Sequence, residues 1–173
     1  AETLDGMLIR GCIDRVERNC ETGTVRVLDY KTSATAKEPA KAHWGTYREK
    51  RDVKNVPEYA RLDIKVNNRG GARRWLDLQL PLYAWALEED YGTDVSVGYF
   101  NIPSVGMDTG VSLLSPFDDE VKGLALGCAK GVVKDIAAKR FWPPTAKLKH
   151  DNFEGILFDQ PEDPAAKPGE VAA

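Results

Sequence analysis

Two aspartates and a lysine sit where strands are expected. Asp14 lies in the run Met7–Val16 (MLIRGCIDRV), and Asp29 and Lys31 lie in the run Thr24–Thr32 (TVRVLDYKT). Both runs are rich in apolar and β-favouring residues. Asn19-Cys20-Glu21-Thr22-Gly23 between them is polar and ends in a glycine free to take φ > 0. This pattern predicts a β-hairpin. Side chains alternate faces along a strand, so Val25, Val27, Asp29 and Lys31 share one face, with Leu28 and Tyr30 on the other. In the first run Leu8, Arg10, Cys12, Asp14 and Val16 share a face. Folding about Glu21–Thr22 brings Asp14 opposite Leu28 or Asp29, and the second register sets the two carboxylates side by side. Like charges directly opposed destabilise a sheet. A shared hard cation reverses that penalty, since Mg²⁺ binds through one or two carboxylates. Lys31 brings its ammonium to the same place. The chemistry within reach of such a set is metal-assisted.

The wording around these residues carries a resemblance. Asp14 followed by Asp29-Tyr30-Lys31 is similar to the acidic residue and (D/E)-x-K triplet of the PD-(D/E)XK nuclease superfamily. Gly11–Glu17 (GCIDRVE) resembles the G-x-x-D-R-x-D/E segment of its RecB-like branch. Leu28–Thr32 (LDYKT) resembles that branch's V/I-x-D-Y-K-T/S strand, and Gln79–Ala84 (QLPLYA) its Q-L-x-x-Y-A helix motif. The resemblance runs from Met7 to Arg140. It implies a restriction-endonuclease-like α/β core, a mixed β-sheet flanked by α-helices. It also implies a metal-dependent DNA nuclease that hydrolyses phosphodiester bonds, within a larger recombination or repair helicase-nuclease or exonuclease. Asp14, Asp29 and the backbone carbonyl of Tyr30 would then hold Mg²⁺ or Mn²⁺. Lys31 would orient or deprotonate the attacking water, and Gln79 would steady the water or the substrate. Tyr83 and Arg15 would touch the substrate. The implied partners are DNA and a helicase domain or subunit, with no membrane.

In this family a helix normally precedes the first strand and often carries a histidine or glutamate of the metal site. Such a helix is either absent or lies upstream of Ala1. His43 and His150 follow the motif strands and match that position in neither case. Relatives with an iron–sulfur cluster carry cysteines after the last helix; none follows Cys128, so no cluster is expected. Two other readings compete: a nuclease fold kept for binding DNA or a protein without cleavage, and a structural domain in which Asp29–Lys31 is a surface ion pair worth about 0–1 kcal/mol. Three motifs in the family's order weigh against the last.

The elements that must position these residues follow in chain order. Ala34–Gly71 reads as an insert, with a loop at 34–39, no helix through Val56-Pro57, and a turn at Asn67–Gly71. Lys37, Lys41, Arg48, Lys50, Arg51, Lys54, Arg61, Lys65, Arg69, Arg73 and Arg74 crowd this region. Basic residues with aromatics between them suit stacking on single strands, although packing of His43–Tyr47 and Tyr59 under a long loop weighs more. Trp75–Tyr91 reads as a helix ended by Gly92, with Gln79 and Tyr83 on one face. Pro81 is tolerated if the helix begins near Asp77. Asp94–Pro103 and Met107–Leu114 read as strands. Phe117–Arg140 reads as a helix with Val121, Leu124, Ala125, Cys128, Val132 and Ile136 as its apolar stripe.

Composition sets the frame. The chain has 173 residues, 42% apolar and 29% charged, with net charge −3. That suits one domain, taken as residues 1–158, with an acidic, proline-rich tail at 159–173 expected to be disordered. The opening AETLDG reads as a boundary segment. Three cysteines without Cys-x-x-Cys spacing read as reduced thiols of a cytoplasmic protein. No apolar run reaches the length of a membrane span.

Overall fold

In the computed structural model the described residues are 2–64, 71–92, 94–104 and 106–141. The chain divides into two compact units, Ala1–Val133 and Lys134–Ala173. Among the described residues the strands and the motif residues all belong to the first. The expected tail at 159–173, His150, and most of the turn at Asn67–Gly71 lie outside the described residues.

The chain opens with a small hairpin, β1 (Glu2–Leu4) and β2 (Met7–Ile9). Asp5-Gly6 joins them with φ of 47° and 83°, the positive pair that a two-residue type I′ turn needs. Next come β3 (Arg15–Arg18) and β4 (Val25–Lys31), paired antiparallel from Arg15↔Leu28 to Arg18↔Val25. The Asn19 side chain accepts from the N–H groups of Glu21 and Thr22 at 2.8 and 3.0 Å, and Gly23 turns at φ 76°. The hairpin therefore folds about Glu21–Thr22, as expected.

The insert supplies α1 (Pro39–His43), β5 (Trp44–Thr46), α2 (Glu49–Asp52), β6 (Arg61–Asp63) and β7 (Ala72–Trp75). Its strands form a three-stranded sheet in the order β5-β7-β6. Then follow α3 (Gln79–Ala86), α4 (Glu88–Tyr91), β8 (Val95–Asn101), β9 (Gly110–Leu113) and α5 (Asp119–Ala137). β8 pairs parallel to β4, and β9 antiparallel to β8, giving a mixed sheet in the order β3-β4-β8-β9. A parallel pair needs a long crossover; here the insert and α3 provide it. The result is the mixed sheet with flanking helices that the resemblance implies.

β4 is the strand around which the rest packs. Val27 and Leu28 point to opposite faces and both are fully buried. Val25, Val27, Val95 and Val97 of the sheet pack with Leu80 and Ala84 of α3 and with Val121, Ala125 and Cys128 of α5. Burying a residue such as Leu80 contributes about 1.5–3 kcal/mol. Trp44 and Trp75 are buried 6.0 Å apart, and Arg61 stacks on Tyr47 while donating to the carbonyls of Val53 and Val56. In the insert, then, these aromatics serve packing.

Several boundaries differ from expectation. The run Met7–Val16 is not one strand. β2 turns back on β1, residues 10–14 leave the ladder, and β3 starts only at Arg15, so Leu8 through Val16 do not share a face. Asp5-Gly6 makes the opening residues part of the fold. Trp75 ends a strand because it pairs with Trp44, and the helix begins at Gln79. Its first bond runs from Leu82 N to the Leu78 carbonyl. Pro81 therefore falls where no N–H is required. Leu87 interrupts the helix before α4, and Gly92 follows at φ 77°. Met107 lies in a 3-10 turn. On α5 the buried stripe moves to Ala129 and Val133, which pack with Leu4 of β1, leaving Val132 39% exposed.

Candidate active site

Asp29 is a carboxylate only 6% exposed, on a strand whose Val25, Val27 and Leu28 are also buried. An unpaired charge there would be prohibitive, and each of its oxygens has a donor. Lys31 Nζ lies 2.6 Å from Oδ2, and Gln79 Nε2 donates to Oδ1 at 3.0 Å. Lys31 reaches Asp29 because residues two apart on a strand share a face. Its ammonium also rests 4.7 Å from the centre of the Tyr99 ring, and Tyr99 is the residue opposite Asp29 on β8. Beyond β4, Asn101 accepts from Lys37 N at 2.8 Å and donates to its carbonyl at 3.1 Å, fastening the loop that leaves Lys31.

Continuing the β3–β4 register by one residue sets Asp14 opposite Asp29. Asp14 stands just before β3, and its Oδ2 accepts from Tyr30 N at 2.9 Å. A longer β3 would have offered the Ile13 carbonyl there; the side chain extends the ladder instead, through a charge-assisted bond. The N–H and C=O of a strand residue point toward the same neighbour, so the Tyr30 carbonyl faces the Asp14 side as well.

Gln79 and Tyr83 lie one turn apart at the start of α3. Gln79 Nε2 also donates to the Tyr83 hydroxyl at 2.9 Å, and that hydroxyl donates to the Cys12 carbonyl at 2.6 Å. This chain ties the helix to the loop that presents Asp14. Gly11 lies directly against Tyr83, where a Cβ would sit 3.4 Å from the ring. A cleft of about 530 Å³ opens beside them, bounded by Arg10, Gly11, Ile13, Gln79, Tyr83 and Leu87 among others.

Arg15 is placed elsewhere. It pairs with Leu28, on the face opposite Asp29. There its guanidinium bonds Glu17 at 2.7 Å, approaches the Tyr30 hydroxyl at 3.4 Å and lies 5.5 Å from the Phe100 ring centre. The sheet itself separates it from the carboxylates.

His43 escapes sequence reasoning as a site residue. Fully buried at the end of α1, it contacts the Asp77 carbonyl through Nδ1 at 2.8 Å and the Tyr99 hydroxyl through Nε2 at 3.1 Å. Burial lowers its pKa, partly offset by the Asp77 carbonyl. Burial pushes the Tyr99 hydroxyl up to about 12. No motif marks His43, since only the folding of the insert brings it beneath the site. Tyr99 is legible in part: Val95, Val97 and Tyr99 alternate onto one face.

Among the described residues no group of three or more His, Cys, Asp or Glu could hold a metal ion. The donors present are two carboxylates at paired positions and a strand-end carbonyl. That oxygen-only set fits a hard divalent ion that takes its remaining ligands from water or a phosphate.

Asp14, Asp29 and Lys31 gather where β3 begins and β4 ends, two carboxylates and an ammonium suited to metal-assisted chemistry. A family model for the PD-(D/E)XK nuclease superfamily matches residues 2–155, and the chain belongs to that superfamily. Its members are in general phosphodiester hydrolases that act on nucleic acid and use divalent metal ions. No curated protein and no solved structure matches the chain. Among the described residues no helix is long and apolar enough to cross a membrane.

Proposed function

We propose that this domain is a metal-dependent nuclease that cuts DNA, with Asp14, Asp29 and the Tyr30 carbonyl as ligands of Mg²⁺ or Mn²⁺. The observation that carries the reading is the buried Asp29 carboxylate, register-paired with Asp14 and held between Lys31 and Gln79. A divalent ion bound there would acidify a water and draw charge from the phosphoryl oxygens. Lys31 orients the attacking water, or neutralises the charge that develops on those oxygens. Gln79 fixes the direction of the Asp29 carboxylate. Tyr83 holds the Asp14 loop against α3 and borders the cleft beside the site, where a substrate strand can approach. The wording of the three motifs favours the RecB-like branch, and with it a place in a larger helicase-nuclease or exonuclease of recombination or repair.

One observation favours a second reading, a nuclease fold that binds without cutting. Both Asp29 oxygens already have donors within the protein, and Asp14 Oδ2 is engaged by Tyr30 N. The test is cleavage of single- and double-stranded DNA by the chain, alone and extended upstream, with Mg²⁺ or Mn²⁺ and an EDTA control. Metal-dependent cleavage that Asp29→Asn abolishes supports the nuclease. Retained cleavage by Asp29→Asn refutes the mechanism. DNA binding without cleavage in any metal transfers the assignment to the second reading.

A further inference from the structure

His43 bridges two elements that meet the Asp29 carboxylate from different sides. Its Nδ1 faces the Asp77 carbonyl at 2.8 Å. A carbonyl only accepts, so Nδ1 must carry the proton. In the neutral ring Nε2 is then an acceptor, and the Tyr99 hydroxyl, 3.1 Å away, must donate to it. The His43 carbonyl accepts from Leu76 N at 2.8 Å. One residue thus clamps Leu76 and Asp77, just before α3, and the tip of Tyr99 on β8.

Each clamp leads to one donor on Asp29. On the first side, Asp77 Oδ1 accepts from Gln79 N at 2.7 Å and so sets the first residue of α3, whose side chain reaches Asp29. On the second, the Tyr99 ring seats the Lys31 ammonium at 4.7 Å, and that ammonium pairs with Asp29 at 2.6 Å. We propose that His43 is a positioning residue of the active site, fixing Gln79 through Asp77 and Lys31 through Tyr99. The inference rests on the nuclease reading for its effect on rate, but not for its effect on Lys31.

The two arms can be cut separately. His43→Leu removes both. His43→Asn places a donor near the Nδ1 position and keeps the Asp77 arm; His43→Gln places an acceptor near Nε2 and keeps the Tyr99 arm. The full chain would be examined in two ways. NMR reports the imidazole tautomer and the upfield ring-current shift that the Tyr99 face imposes on the Lys31 Hε protons. Cleavage kinetics report kcat and KM. We expect a wild-type imidazole protonated at Nδ1. The Lys31 shift should shrink in His43→Leu and His43→Asn and persist in His43→Gln. A misplaced catalytic group of this kind lowers kcat by about tenfold to a hundredfold, and His43→Leu should show that loss with little change in KM. The two single-arm variants should fall between it and wild type. A folded His43→Leu with wild-type kcat and an unmoved Lys31 signal would overturn the proposal and leave His43 a core polar residue. If His43→Leu does not fold, wild-type kcat and an unmoved Lys31 signal in His43→Asn overturn it in the same way. If the wild type cuts no DNA with Mg²⁺ or Mn²⁺, alone or extended upstream, the nuclease reading fails and the Lys31 signal alone judges the role of His43.

Discussion

Lys31→Met and Asp29→Asn remove opposite halves of one ion pair, and their costs should be unequal. The Asp29 side chain is 8% exposed and that of Lys31 30%. Without the ammonium, a buried carboxylate keeps only the Gln79 N–H. Breaking a buried pair this way costs about 3–5 kcal/mol, and the partial exposure of Lys31 sets this case at about 3 kcal/mol. With Asp29 neutralised, an amide oxygen still accepts from Gln79 while the ammonium turns to water, for a loss of about 1–2 kcal/mol. Repulsion from Asp14 alone would have made Asp29→Asn neutral or stabilising; the lysine already offsets that repulsion. The double variant leaves no buried charge unpaired, so it should exceed Lys31→Met in stability by about 1–2 kcal/mol, a coupling that a double-mutant cycle reads directly.

Thermal unfolding followed by circular dichroism, with and without Mg²⁺, checks this. In a chain of this size 1 kcal/mol moves Tm by about 2–4 °C. Tm should therefore fall by about 6–12 °C in Lys31→Met and by about 2–8 °C in Asp29→Asn. A ligand at a hundred times its Kd stabilises by about 2.7 kcal/mol. Mg²⁺ at such excess should restore most of the loss in Lys31→Met and none in Asp29→Asn. Equal losses in the two variants, or a Lys31→Met that ignores Mg²⁺, would refute the argument that Asp29 is a buried carboxylate in need of a cation.

Three further outcomes are expected. Tyr83→Phe cuts the bond to the Cys12 carbonyl; chemical denaturation should show a loss of about 1 kcal/mol, and cleavage should fall as the Asp14 loop loosens. Gly98→Ala would set a Cβ against the Ser112 carbonyl oxygen on the neighbouring strand; a backbone atom cannot step aside, so denaturation should show a loss of about 1–3 kcal/mol. His43 should give stability an acid-side dependence. Its pKa in the fold lies below 6.5, chiefly through burial and with Lys31 adding, while the Asp77 carbonyl and the charges of Asp77 and Asp29 oppose. Between that lowered value and 6.5 the unfolded chain binds the extra proton. Stability is thus complete above about pH 6.5 and falls, by at most about 1.4 kcal/mol per pH unit, as the pH drops; His43→Gln should flatten this slope in denaturation series at fixed pH.

What is legible in the sequence is what local pattern governs. The turn at Asn19–Gly23, the alternation that puts Asp29 and Lys31 on one face, and the four-residue spacing of Gln79 and Tyr83 are each written within a few residues. Asp5-Gly6 is equally local, but at the chain's opening a turn signal is easily mistaken for a boundary. Trp75 misleads for a different reason. Its helical spacing with Gln79 is real, but pairing with Trp44, 31 positions earlier, outweighs it. The alternation that sets Lys31 beside Asp29 also turns Arg15, which pairs with Leu28, to the other face of the sheet. His43 depends on where the insert comes to rest, which no spacing encodes, and the alternation that turns Tyr99 onto the face of Val95 and Val97 does not say that it will stand opposite Asp29.

The arrangement around Asp29 also bears on how a cation would compete with the protein. Each donor comes from a separately anchored place: Lys31 from β4 itself, Gln79 from α3, and the Tyr99 seat of Lys31 from β8. None relies on a flexible surface chain, so the carboxylate is held in one orientation before any ligand arrives, which is what a preorganised polar site requires. On the proposed reading a divalent ion must take an Asp29 oxygen from Lys31 or from Gln79. Gln79 is held a second time by Tyr83 and is the harder to move. Lys31 has the ring of Tyr99 as a second seat and is 30% exposed, so it can withdraw without losing every partner. The same displacement would turn the ammonium from a structural counterion into a free donor beside the incoming phosphate, at the moment when one is needed.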